Sequence, residues 1–323
     1  MSLRNLNNPP LVALAGATLS IGLPMLDAAL SSSASLILLK SLNVAAFATN
    51  VIAVSAPGRL DGVEDQEMRK GKLNPTQSNE STPLTKSEPS SAYALNHNRT
   101  LVNPSGWAFT IWAPIYLGEA AFVTAQVFAS DASTTALLPH VTAPFIAANL
   151  FQSLWCASFR PSFSKGWERY ISVAMLAGTG YCLSLVQSAG SAVVVADSSV
   201  IPYFLTSMTV HFGWVSAATL VNLNGSLASN EFASTRSLIA LGHSSALIAT
   251  ALGVGLTIAR SIPAYGLTLA WALAACADGM AKRTQSSQSL VDEETFSKAA
   301  GVQKILCWAG SFACASAAAY SSL

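Results

Sequence analysis

Residues 106–129 read GWAFTIWAPIYLGEAAFVTAQVFA, and Glu119 is the only formal charge in the run. A stretch of about 20 apolar residues crosses a hydrocarbon core about 30 Å thick as a helix, because only a helix satisfies its own backbone hydrogen bonds in lipid. Working outward, comparable runs occur at Ser35 to Val54, Val141 to Phe159, Tyr170 to Gln187, Ile201 to Asn222, Ser237 to Ile258, Pro263 to Met280 and Gly301 to Tyr320. The expected fold is therefore all-α: a polytopic transmembrane helical bundle of about eight spans. The spans at 141–159 and 263–280 are short or polar enough to be tilted or shielded from lipid.

Composition agrees. The chain has 323 residues, 51% hydrophobic and 10% charged, with a mean hydropathy of +0.45. Soluble domains average about 25% charged residues. The net charge of +1 gives neither a nucleic-acid footprint nor an acidic partner surface, so nucleic acid is excluded as a partner. The bilayer is the expected partner, with a hydrophobic small molecule beside it; homodimerisation stays open. The cysteines, Cys156, Cys182, Cys276, Cys307 and Cys314, stand singly in apolar runs and read as small buried hydrophobes.

Positive charge collects on one side of the expected spans. Arg59, Arg69, Lys70, Lys72, Lys86, Arg99, Arg160, Lys165, Arg169, Arg236, Lys282, Arg283, Lys298 and Lys304 fall in the loops after spans one, three, five and seven. The other side holds Arg4, Lys40 and Arg260. This asymmetry makes the loop-rich side cytoplasm-like. The N-terminal segment 1–34 has two readings. Arg4, the apolar Leu11 to Leu23, Pro24, Asp27 and the serines at 31–35 favour a cleaved targeting segment; the rival is a ninth span from Leu11 to Leu30, which fits the charge rule equally. The domain layout is then a first span within 35–56, a polar disordered loop at 57–104, spans two to five at 105–224 and three further spans at 225–323. The localisation is multi-pass membrane, with the secretory route and a plastid both open.

Ionisable and amide groups are costly at bilayer depth and turn inward. Phe109, Trp112, Tyr116 and Glu119 follow 3, 4, 3 spacing and share one helical face. Asn149, Gln152, Trp155 and Phe159 do the same in the third span, as do Ser207, His211, Trp214, Ala218 and Asn222 in the fifth. Trp271 and Asp278 lie seven apart in the seventh. Four Trp-bearing faces would enclose a flat, amphiphilic ligand. Plainer readings exist for each: Trp107 as an interfacial anchor, Gln152 and Asn222 as interhelical hydrogen-bond partners, His211 as a packing residue rather than a haem ligand. The expected ligand-binding set is Trp107, Phe109, Trp112, Tyr116, Glu119, Gln152, Trp155, His211, Trp214, Asn222 and Trp271. No catalytic residues and no metal site are assigned.

The segment NPSGWAFTIWAPIY (Asn103 to Tyr116) resembles the second-span signature of the translocator protein and tryptophan-rich sensory protein family. QSLW (Gln152 to Trp155) and HFGWVSAATLVNLN (His211 to Asn224) resemble its third- and fifth-span motifs. The likeness runs from about Ser35 to Asn224. LAW (Leu269 to Trp271) and TFSKAAGVQ (Thr295 to Gln303) resemble its longer branch. The chain departs from five-span members in its three extra spans, its long first loop and Gln152 in place of Asn. The resemblance implies a membrane receptor or carrier for a tetrapyrrole, porphyrin or haem, or a sterol-like lipid. The alternatives are a secondary transporter coupled through Glu119 or Asp278, and a porphyrin-degrading enzyme; no acid–base pair, nucleophile motif or metal cluster supports the last.

The sequons at Asn79, Asn98 and Asn224 fall on the positive side and are expected to carry no glycan. Glycosidase treatment should leave the mass unchanged; a shift mapping to Asn79 or Asn98 would overturn the orientation.

Overall fold

The computed structural model describes residues 6–55, 99–158, 161–193, 201–230, 232–283 and 293–323. Among these residues there are nine α-helices and no strand: α1 (Pro9–Ser33), α2 (Leu36–Ser55), α3 (Trp112–Phe128), α4 (Ala132–Ala157), α5 (Ile171–Val193), α6 (Ile201–Ala228), α7 (Thr235–Arg260), α8 (Pro263–Arg283) and α9 (Glu293–Ser321). A six-residue 3-10 turn, Gly106–Ile111, leads into α3. The loop read at 57–104 lies outside the described residues as far as 98, as do the sequons at Asn79 and Asn98, and Phe159 and Arg160.

Local chemistry sets the helix ends. Asn8 caps α1 through the Leu11 amide, with prolines in the first turn where their missing N–H costs nothing. Asp131 caps α4, accepting the Thr134 amide at 2.8 Å and its hydroxyl at 2.8 Å. Those two bonds, the backbone one first, hold the Asp131 carboxyl below the usual carboxylate range. Ser234 caps α7, and Ser261, in the left-handed region at φ 51°, turns the chain into α8.

Among the described residues, six helical stretches are long and apolar enough to cross a membrane: Pro9–Ser33, Leu36–Ser55, Gly106–Phe128, Glu168–Ser191, Phe204–Ala228 and Thr235–Arg260. Helices α4, α8 and α9 fall short in apolarity. Helix α4 carries Thr142, Asn149 and Gln152 and packs on α1, α2 and α5, while α8 and α9 pack against each other and against α7. Packing on protein relaxes the demand for lipid-like side chains. Outside, the pattern is that of a lipid-facing surface: Ile21, Ile37, Leu117 and Phe312 are each more than 70% exposed. The chain is an integral multi-pass membrane protein.

Polar side chains join the helices inside. Asn43 of α2 donates to Gln126 at 2.8 Å and Thr142 at 3.1 Å, and Asn50 donates to Asn149 at 3.0 Å. Asn224 donates to Ser245 at 2.7 Å, and His243 meets Gln303 at 2.7 Å. Helix α6 is central to the site because it packs on α3, α5, α7 and α8. Its contact with α8 requires Gly213, where a Cβ would come within 2.8 Å of Thr268 and 3.2 Å of the Tyr265 carbonyl.

Contacts between loops sort the helix ends onto two sides. Arg99 donates to the carbonyls of Ala228, Asn230 and Ala233, Ser226 donates to Arg169, and Ser162 donates to Asn7. At the opposite end Lys40 donates to Val127 and Ala129, and Arg260 to Gln187. The loops after α4 and α6 thus share a side with Arg99 and with the start of α1, as charge asymmetry required of the first three. Helix α1 packs on α4 and α5 and buries Val12, Leu23 and Leu30.

Candidate functional site

The 3-10 turn and α3 present the aromatic run from one side of α6. Trp112, at the first position of α3, is the hub. Its ring centroid lies 5.6 Å from Tyr116, 6.5 Å from Trp155, 5.6 Å from His211 and 6.0 Å from Trp214. The Tyr116 and Trp155 rings tilt 31° from Trp112, whereas Trp214 stands at 85° to it. Phe109 meets Trp214 edge-on at 5.7 Å, and Phe47 of α2 reaches Tyr116 at 6.2 Å. Helices α2, α3, α4 and α6 therefore contribute rings to one cage, and Phe109 at its edge is nearly half exposed.

Polar groups are fixed around these rings. Glu119 Oε1 lies 2.6 Å from His211 Nδ1, with both residues almost fully buried. Gln152 donates to the Tyr116 hydroxyl at 2.8 Å, and Trp155 Nε1 donates to Asn222 Oδ1 at 3.4 Å. Asn222 in turn donates to the Ala218 carbonyl at 2.9 Å. Single helical spacing could not reveal the Glu119–His211 pair, whose members are 92 residues apart.

Trp107 and Trp271 form a neighbouring unit rather than a wall of the cage. Their rings meet edge-on at 4.6 Å; Trp107 Nε1 donates to Asp278 at 2.9 Å, and Trp271 Nε1 donates to the Ala108 carbonyl at 3.1 Å. These bonds tie the 3-10 turn to α8, and Ser105 adds a backbone bond to Ala275 at 3.0 Å. Asp278, bound at the end of the bundle, is set apart from Glu119 at its centre. Of the residues expected to line a site, Phe109, Trp112, Tyr116, Glu119, Gln152, Trp155, His211, Trp214 and Asn222 come together. Sequence reasoning missed Phe47 and Asn50 of α2, although Asn43, Phe47 and Asn50 follow the 4, 3 spacing of one face. Among the described residues there is no group of three His, Cys, Asp or Glu that could hold a metal ion.

A family profile for TSPO-like proteins matches residues 81–304. The match continues past Asn224 through α7 and α8 into α9, beyond the stretch marked by the sequence motifs, and starts after α2. No curated protein matches the chain, and no solved structure does.

The Gln152–Tyr116 bond predicts a measurable cost. Tyr116→Phe leaves the buried Gln152 amide without its acceptor and should cost about 1–3 kcal/mol of unfolding free energy in bicelles. An unchanged unfolding curve would show that this bond does not hold α3 to α4.

Proposed function

The chain belongs to the TSPO-like family, and from that premise we propose that it is a membrane receptor or carrier whose Trp112-centred cage takes a planar hydrophobic ligand, a tetrapyrrole first and a sterol-like lipid second. The observation that carries this reading is the convergence on one indole of aromatic rings from α3, α4 and α6. Flat ligands gain from such rings both by burial and by stacking or edge contacts, worth about 0.5–1.5 kcal/mol each. The Tyr116 and Trp155 rings, each tilted 31° from Trp112, supply faces; the upright Trp214 ring supplies an end wall. Glu119, His211, Gln152 and Asn222 provide polar contacts at fixed positions, which orient a ligand whose body is apolar. Phe109, exposed and edge-on to Trp214, marks the way in.

A second reading, a proton-coupled carrier, is favoured by one observation. The Glu119 carboxylate is buried against an imidazole, a pairing able to exchange a proton at bilayer depth.

Titration of the full-length protein in lipid nanodiscs with protoporphyrin should quench tryptophan emission saturably, and Trp112→Leu should weaken the affinity about tenfold through loss of ring contacts. Quenching that rises linearly, unaltered by Trp112→Leu, would overturn the receptor reading. Proteoliposome flux abolished by Glu119→Gln, with quenching intact, would favour proton coupling.

A further inference from the structure

Besides Asn50 Oδ1 on α2, four side-chain atoms around the cage are buried without a hydrogen-bond partner: His211 Nε2, Trp214 Nε1, Glu119 Oε2 and Gln152 Oε1. Their residues are 3% exposed or less. Proteins pair nearly all buried polar atoms, so a cluster of unpaired ones beside a ring cage points to a ligand that supplies the partners. The two nitrogens belong to residues three apart on α6, and both rings contact Trp112.

An indole nitrogen is a donor and nothing else. One hydrogen lies between His211 Nδ1 and Glu119 Oε1, 2.6 Å apart. With that hydrogen held by the carboxyl, or with the ring doubly protonated, Nε2 carries a hydrogen of its own; a neutral ring that donates from Nδ1 leaves Nε2 a bare lone pair, the case the ferric macrocycle below detects. In the first two arrangements the α6 face offers two N–H donors, Nε2 of His211 and Nε1 of Trp214, and neither has an acceptor.

We propose that these two donors determine the specificity of the cage, selecting planar ligands that carry an uncharged oxygen acceptor such as a ring carbonyl. Gln152 Oε1, on α4, accepts an N–H or O–H of the same ligand. A carbonyl satisfies the donors without adding charge, whereas a carboxylate brings an anion to bilayer depth beside the Glu119 carboxyl. The inference rests on the planar-ligand reading above and adds to it the chemical group that is recognised.

Matched macrocycles test it. Octaethylporphyrin and its oxo derivative, which differs by a single ring ketone, are titrated by absorbance into the full-length protein in nanodiscs, together with protoporphyrin and its dimethyl ester. The ketone is expected to bind about tenfold tighter than octaethylporphyrin, the gain from filling one orphaned donor. Trp214→Phe, which keeps a ring and removes the N–H, is expected to erase that preference, so that the ketone and the parent macrocycle bind this variant with equal affinity. The diester is expected to bind at least as tightly as the diacid. Equal affinity for the ketone and the parent macrocycle would overturn the inference while leaving the planar-ligand reading intact, as would a diacid preferred tenfold. Ferric octaethylporphyrin converted to a low-spin, His211-dependent form would show Nε2 to be a bare lone pair, and would overturn it too. Saturable binding by none of these compounds would remove the planar-ligand reading and this inference with it.

Discussion

The contact between Glu119 and His211 is the constraint on which the arrangement of the bundle centre depends. A carboxylate in the middle of a lipid-facing helix is tolerable only if that helix turns it inward and another helix meets it with a compensating group. Helix α6 does so, and the meeting fixes the rotation of both helices. With Glu119 facing α6, the 3, 4, 3 spacing of α3 carries Tyr116 and Trp112 onto the same face, and the turn before it brings Phe109. With His211 facing α3, Trp214 follows one turn later. The ring cage is thus a geometric consequence of one buried pair, completed by α4 through Gln152 and Trp155.

Around this centre, polar bonds between helices replace the hydrophobic drive that a bilayer does not supply. Apolar side chains gain little by leaving lipid for protein, so association relies on close packing and on hydrogen bonds such as Asn50 to Asn149 and Asn224 to Ser245. Gly213 supplies the close approach between α6 and α8, and Trp107 and Trp271 clamp the 3-10 turn to α8 from the end of the bundle. The aromatic residues of the turn therefore have two jobs divided among neighbours: Phe109 faces the cage, and Trp107 anchors the strap that carries it.

The amino-acid sequence made the fold class and many of the residues gathered in the candidate site legible. Long uncharged runs can hardly be anything but spans, and helical periodicity puts Trp112, Tyr116 and Glu119 on one face, with His211, Trp214 and Asn222 on another. What periodicity cannot say is which faces meet, since it describes each helix alone. That is why spacing alone names no partner for Glu119 or His211, and why it groups Trp271 with the cage although its indole donates to the Ala108 carbonyl. Phe47 and Asn50 were overlooked because the first span carries no tryptophan to draw attention to its polar stripe. Helices α4, α8 and α9 look marginal as spans because part of their environment is other helices, a property that composition does not contain.

A double-mutant cycle on the central pair tests this account most directly, with unfolding free energies measured in bicelles for Glu119→Leu, His211→Leu and the double variant. Each single change leaves a buried ionisable group uncompensated and is expected to cost about 3–5 kcal/mol, while the double variant should cost less than either one. Losses that simply add would mean that the two groups do not stabilise each other, and that something else sets the facing of α3 and α6.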